Sequence, residues 1–148
     1  MGRWATFAAA APDLAAFGAG RLSAMPAYLA TVGRDGAPRV HPVTPVVGNG
    51  GLYVFMEPTS PKGRDLRRHG RYALHSGVQD MAGTGGEFSV RGRGVPVEDA
   101  TARVAAAAAA GYDPLDRYVL FELLVEEARA NGYVDVTLPE PTRWTDTA

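Results

Sequence analysis

The sequence predicts an α+β domain, mainly β, in which antiparallel strands form a barrel flanked by helices. Three observations carry this. Short runs rich in β-branched and aromatic residues recur along the chain with turn residues between them. Asp35-Gly36 lies between two such runs, and glycine supplies the positive φ that a tight hairpin needs. No glycine-rich dinucleotide fingerprint follows the first strand, which argues against a βαβ sheet.

The elements follow in order. Leu14, Phe17, Leu22 and Met25 lie near helical spacing, with Pro12 suited to a first turn, so a helix is expected over 11–25. Gly18 and Gly20 count against it, each by about 1 kcal/mol relative to alanine. The run "AYLATVGRDGAPRVHPVTPVV" (27–47) reads as two strands around a turn, and "LYVFM" (52–56) as a third, giving an antiparallel meander. Ser60 is a good N-cap and Pro61 a good first helical residue, so "SPKGRDLRRHG" is a short helix ending at Gly70. Residues 71–78 return as a strand, 79–86 form a Gly-rich loop, and 87–95 form another strand. There Gly92 and Gly94 share a face with Phe88 and Val90, which points to a bulge or a close neighbour. A helix over 98–111 has acids at its start and Gly111 after its end, and its six-alanine run reads as a closely packed helix. Strands at 118–128 and 133–138 and a polar tail, 139–148, complete one domain spanning 1–148.

Composition narrows the function. With 148 residues, 46% apolar, 21% charged and a net charge of −1, the chain is an ordinary globular one, and no nucleic-acid-coating role is expected. It has no cysteine, and its three histidines lack zinc spacing, so no metal site is expected. No apolar run reaches membrane-spanning length, and Pro12 and Asp13 interrupt the N-terminal alanine run too early for a signal peptide. A cytoplasmic protein is expected.

Two segments could carry chemistry. "TSPKGRDLRRHGR" (59–71) is strongly basic, and Lys62 is the only lysine in the chain. Lysine in the first turn of a helix, beside unpaired amides, makes an anion site suited to phosphate. The alternative is a solvated helix whose arginines aid solubility. "PRVHPVTPV" (38–46) places two prolines in a strand, where they cannot donate to a ladder. Arg39, His41 and Val43 share one face; Val40, Pro42 and Thr44 share the other. Such a strand either offers free backbone to a flat polar ligand or is an edge made unsticky by proline. His41 has no acid partner in sequence, and a lone strand histidine is more often structural than catalytic. No nucleophile elbow, phosphate-binding Walker loop or paired carboxylates appear, so no catalytic residue is assigned and any reactive group is a bound cofactor.

The ordered set "YLATVGRDGAPRVHPVTPVV", "GGLYVFMEPTSPKGRDLRRHGRYALHS", "GEFSVRGRG" and "YVLFELLVEEA" resembles the pyridoxamine 5′-phosphate oxidase-like family of FMN-binding split barrels over about residues 26–128. The resemblance implies a six-stranded antiparallel split β-barrel, working as a homodimer with cofactor at the interface. It implies cofactor contacts from Arg39, Val40, His41, Pro42, Val43 and Thr44, ring-lining by Phe55 and Met56, and phosphate binding by Ser60 and Lys62. Trp144 is matched loosely to tail aromatics that reach a partner's cofactor. Pro61 replaces an arginine frequent in the phosphate turn, Glu87 and Phe88 stand where many members carry a polar amide, and the Arg-rich pyridoxine-substrate pattern is missing. The implied function is an FMN-dependent oxidoreductase acting on a small molecule, not pyridoxamine phosphate oxidation itself. The alternatives are a deazaflavin-dependent reductase, a non-catalytic cofactor- or heme-binding protein using His41 or His75, and a ligand-free structural dimer.

Overall fold

A computed structural model describes residues 1–133 and 135–148. The chain runs α1 (Trp4–Ala10), α2 (Pro12–Ala24), β1 (Ala27–Val32), β2 (Pro38–Val43), β3 (Val46–Gly48), β4 (Gly51–Met56), α3 (Pro61–Arg68), β5 (Arg71–His75), β6 (Glu87–Val97), α4 (Ala100–Ala109), β7 (Val119–Asn131) and β8 (Arg143–Thr145). The α+β, mainly β expectation holds.

The strands lie in the order β2-β1-β5-β6-β7-β4-β3, with β8 added alongside β7, and every pairing is antiparallel. A flat path of seven strands would be roughly 29 Å across at the usual strand spacing. Yet β2 and β3, at its two ends, are joined only by Thr44 and Pro45, a connection that reaches at most roughly 11 Å. The sheet must therefore curl until its edges approach, and it forms an antiparallel half-barrel.

This corrects the expected count of six strands and the expected meander. The 27–47 region yields three strands because the chain leaves β2 after Val43, and Pro45 has no N–H with which to continue a ladder. β4 then pairs with β3 and β7, not with β2. The hairpin turn holds as expected, with Gly33 N–H donating to Ala37 O at 2.9 Å and Gly36 at φ 86°.

Other differences are local. Residues 133–138 form no strand among those described; Asp135 has φ 67°, which breaks extended geometry, and Val134 lies outside the described residues. The last strand instead arises in the tail, where Ala128 pairs with Trp144. Helix α1 precedes the expected helix, because Trp4 and Phe7 bury themselves in the core. Helix α4 ends on Ala110 in an extended conformation, so Gly111 is not its left-handed cap.

One main core fills the concave side of the sheet, with Phe7, Leu14, Leu29, Leu74, Phe88, Phe121 and Leu123 fully buried. A second cluster sits under α4, where Val46, Tyr53, Phe55, Ala106 and Leu120 meet. β4 is buried along its whole length because it serves both clusters. The alanine run allows this closeness: a Cβ on Gly48 would stand 2.5 Å from the Ala109 methyl. The expected irregularity in β6 is a bulge between Arg91 and Gly92, and a Cβ on Gly92 would overlap the Leu124 carbonyl.

Candidate functional site

Helix α3 begins as its sequence predicts. The Ser60 side chain accepts from Gly63 N–H at 3.3 Å, and Ser60 O accepts from Arg64 N–H at 3.2 Å. Pro61 has no N–H, so only the Lys62 amide of the first turn lacks a protein acceptor among the described residues. The free-amide cluster expected there is thus reduced to one donor, and the Ser60 hydroxyl is already used as a cap. Gly63 is buried, and a Cβ on it would lie 3.2 Å from Met56 Sδ. Its absence lets the first turn close down on the end of β4, which sets Lys62 beside Met56.

A pocket of about 310 Å³ opens there, lined by Pro42, Val43, Thr44, Phe55, Met56, Glu57, Lys62, Tyr112 and Tyr118. Six of these are sequence-predicted residues, drawn from β2 and its exit, the end of β4 and the start of α3. Phe55, Met56 and Val43 are buried and give the pocket an apolar lining, Phe55 from the cluster under α4 and Met56 and Val43 from the main core. Among the described residues β2 pairs only with β1, so its outer edge keeps unpaired backbone groups that can meet a flat polar ligand.

Lys62 is half-buried and has no carboxylate within ion-pair distance among the described residues. Burial holds its ammonium below the usual lysine range. A desolvated cation without a counter-ion gains strongly from an incoming anion.

The remaining predicted residues stand apart from the pocket. Arg39 donates from Nε to Asp65 Oδ2 at 2.9 Å. That carboxylate is 2% exposed and also accepts from Thr31 at 2.7 Å and Arg68 at 3.3 Å. Burial pushes Asp65 up, and these donors outweigh it and pull the group below its ordinary value. Arg39 is therefore partly spoken for by Asp65, unlike Lys62. His41 is half-buried, and its Nε2 is buried without a partner. Desolvation, then the charges of Lys62 and Arg39, lower its pKa, so it is neutral near pH 7. Val40 is 62% exposed on the opposite face of β2. Trp144 packs against Phe7, with ring centroids 5.3 Å apart, and does not line this pocket. The later cations of the basic run are mostly engaged: Arg68 with Asp65, Arg71 with Glu126 at 3.0 Å, and Arg67 over the Phe121 ring.

Sequence reasoning missed Glu57, Tyr112 and Tyr118. No motif marks them, since Tyr112 and Tyr118 reach the pocket only because α4 packs over β4. A larger cavity, about 590 Å³, lies between the end of α2, Pro45–Val47 and the end of α4. It carries no charged side chain, so it offers nothing to a phosphate.

No curated protein matches the sequence. Among solved structures, a heme binding protein from Mycobacterium smegmatis superposes with a TM-score of 0.64 at 20% identity, over 81% of this chain and 55% of that longer one. The heme storage protein HutZ from Vibrio cholerae gives 0.60 at 18% identity, over 82% and 94%. A NimC/NimA family protein from Clostridium acetobutylicum gives 0.62 at 17%, over 76% and 82%. At these identities the likeness is one of fold. The sequence also matches the pyridoxamine 5′-phosphate oxidase family over residues 19–132, most of its length, and the chain therefore belongs to the pyridoxamine 5′-phosphate oxidase-like split-barrel family.

Proposed function

We propose that the chain binds FMN in the Lys62 pocket and serves as a flavin-dependent oxidoreductase for a small substrate, as a homodimer with the cofactor at the interface. The observation that carries this reading is Lys62 itself, a desolvated ammonium with no carboxylate partner among the described residues, in a pocket also lined by apolar Phe55 and Met56. The donor set fits a phosphorylated flat ring: one mobile cation and one free amide for the phosphate, apolar lining and an unpaired strand edge for the ring. When bound, FMN supplies hydride transfer. The chain's own residues hold the phosphate through Lys62 and exclude water from one side through Val43, Phe55 and Met56.

Titration of the purified protein with FMN, followed by flavin fluorescence, tests the reading. Lys62→Ala is expected to weaken binding by about 1.5–3 kcal/mol, the worth of a charge-assisted hydrogen bond. Unchanged affinity, or no FMN binding by the wild type, overturns the assignment.

A second reading is non-catalytic heme binding. It is favoured by the buried, unpartnered Nε2 of neutral His41 and by the heme-binding proteins of the same fold. It requires a Soret band on heme addition that His41→Ala abolishes.

A further inference from the structure

The pocket has a wall that the basic run and β2 do not supply. Tyr112 and Tyr118 stand at the two ends of the connection from α4 to β7, and both line the pocket. This segment is not loosely attached. Arg103, from α4, donates to Tyr118 O at 2.6 Å, to Leu115 O at 3.2 Å and to Asp116 O at 3.3 Å. The same guanidinium lies over the Phe55 ring, 5.4 Å from its centroid. At the other end Arg117 grips Glu57 through both carboxylate oxygens, with Nε 2.9 and 3.1 Å away, and lies over the Tyr118 ring. The Tyr112 ring meets Phe55 edge-on at 6.5 Å.

Two arginine clasps thus hold two tyrosines against the end of β4. Two half-buried rings held in place lose little freedom when a flat ligand packs on them. Glu57 is neutralised by Arg117, whose hydrogen bonds hold it below the usual carboxylate range, so it does not turn this wall into a second charged subsite. Burial, and then Tyr118, push the Tyr112 phenol up, which keeps it neutral. The phosphate-attracting cation and the aromatic wall are therefore chemically separate parts of one pocket.

Building on the FMN reading, we propose that Tyr112 and Tyr118 are the ring-selecting residues of the site. They favour a planar aromatic system independently of the phosphate that Lys62 recognises.

The test compares FMN with riboflavin, the same ring without phosphate, by fluorescence titration against the full chain. Tyr112→Ala and Tyr118→Ala are expected to weaken both ligands by about tenfold each and leave the FMN-to-riboflavin ratio unchanged. Tyr112→Phe keeps the ring and is expected to stay within twofold of wild type. Tyr112→Leu keeps most of the bulk without the ring and is expected to behave like Tyr112→Ala, which guards against a mere folding defect. Lys62→Ala should instead collapse the ratio by weakening FMN alone. Tyrosine variants that bind both flavins within twofold of wild type, or that change the ratio, overturn the proposal even where Lys62→Ala behaves as expected. A wild type that binds neither flavin overturns it together with the FMN reading.

Discussion

Lys62 of the basic run and Arg39 of β2 show how burial and pairing sort cations that look alike in sequence. Arg39 is engaged by a carboxylate, while Lys62 has none within reach among the described residues, so of the two it is Lys62 that is poised for an external anion. Asp65 anchors this arrangement. Its pKa is lowered in the folded chain, so it contributes stability that is present above the unfolded value and lost as pH falls through the folded one. The stability of the wild type, measured by chemical denaturation, is therefore expected to fall below about pH 4, the ordinary aspartate range. Asp65→Asn should flatten that acid limb and cost about 2 kcal/mol at neutral pH. This is below the usual loss for a broken buried pair, because Arg39 and Arg68 can return to water. An unchanged acid limb in the variant would show that Asp65 is not the responsible group.

At the scale of elements, two glycines that weaken local propensity turn out to be packing requirements. Gly18 sits in the middle of α2, where alanine would gain up to about 1 kcal/mol of helix propensity. A Cβ there would lie 2.5 Å from the Phe88 ring, itself completely buried. Overpacking costs about 1–3 kcal/mol, so Gly18→Ala is expected to lower stability on balance, as read from the denaturation midpoint. Gly92→Ala should cost at least as much, because the obstacle is the Leu124 backbone and not a movable side chain. A midpoint at or above wild type for either variant would mean that the close approach relaxes cheaply. The sequence marked Gly92 and Gly94 as needing space, but it could not show that Gly18 does, since the ring concerned lies seventy positions away.

For the whole molecule, curling brings the two ends of the strand order together near Thr44 and Pro45. The outer face of β1 and β2 carries Tyr28, 49% exposed, and Val40, 62% exposed, on the Tyr28–Pro42 and Ala30–Val40 pairs, which are two steps apart in the register and so share a face. This is the face we propose for the second copy. Sedimentation is expected to give twice the mass of one chain, and the double variant Tyr28→Glu, Val40→Glu is expected to give a single-chain mass. A wild type that sediments as one chain at micromolar concentration would rule out the dimer. Among the described residues no helix is long and apolar enough to cross a membrane.

The sequence by itself determined what is local. Ser60 and Pro61 start α3, Asp35-Gly36 turns the first hairpin, and alternation along β7 buries Phe121, Leu123 and Val125. These follow from capping, from the φ freedom of glycine and from the two-residue period of a strand, all written within a few residues. Tertiary structure alone decided the rest: that β2 and β3 go to opposite edges, that Arg39 is held by Asp65, and that Trp144 joins the core through Phe7. It also brought Tyr112 and Tyr118 to Lys62 across more than forty positions. Such pairings depend on which surfaces meet once the sheet curls, and no short window of residues contains that information.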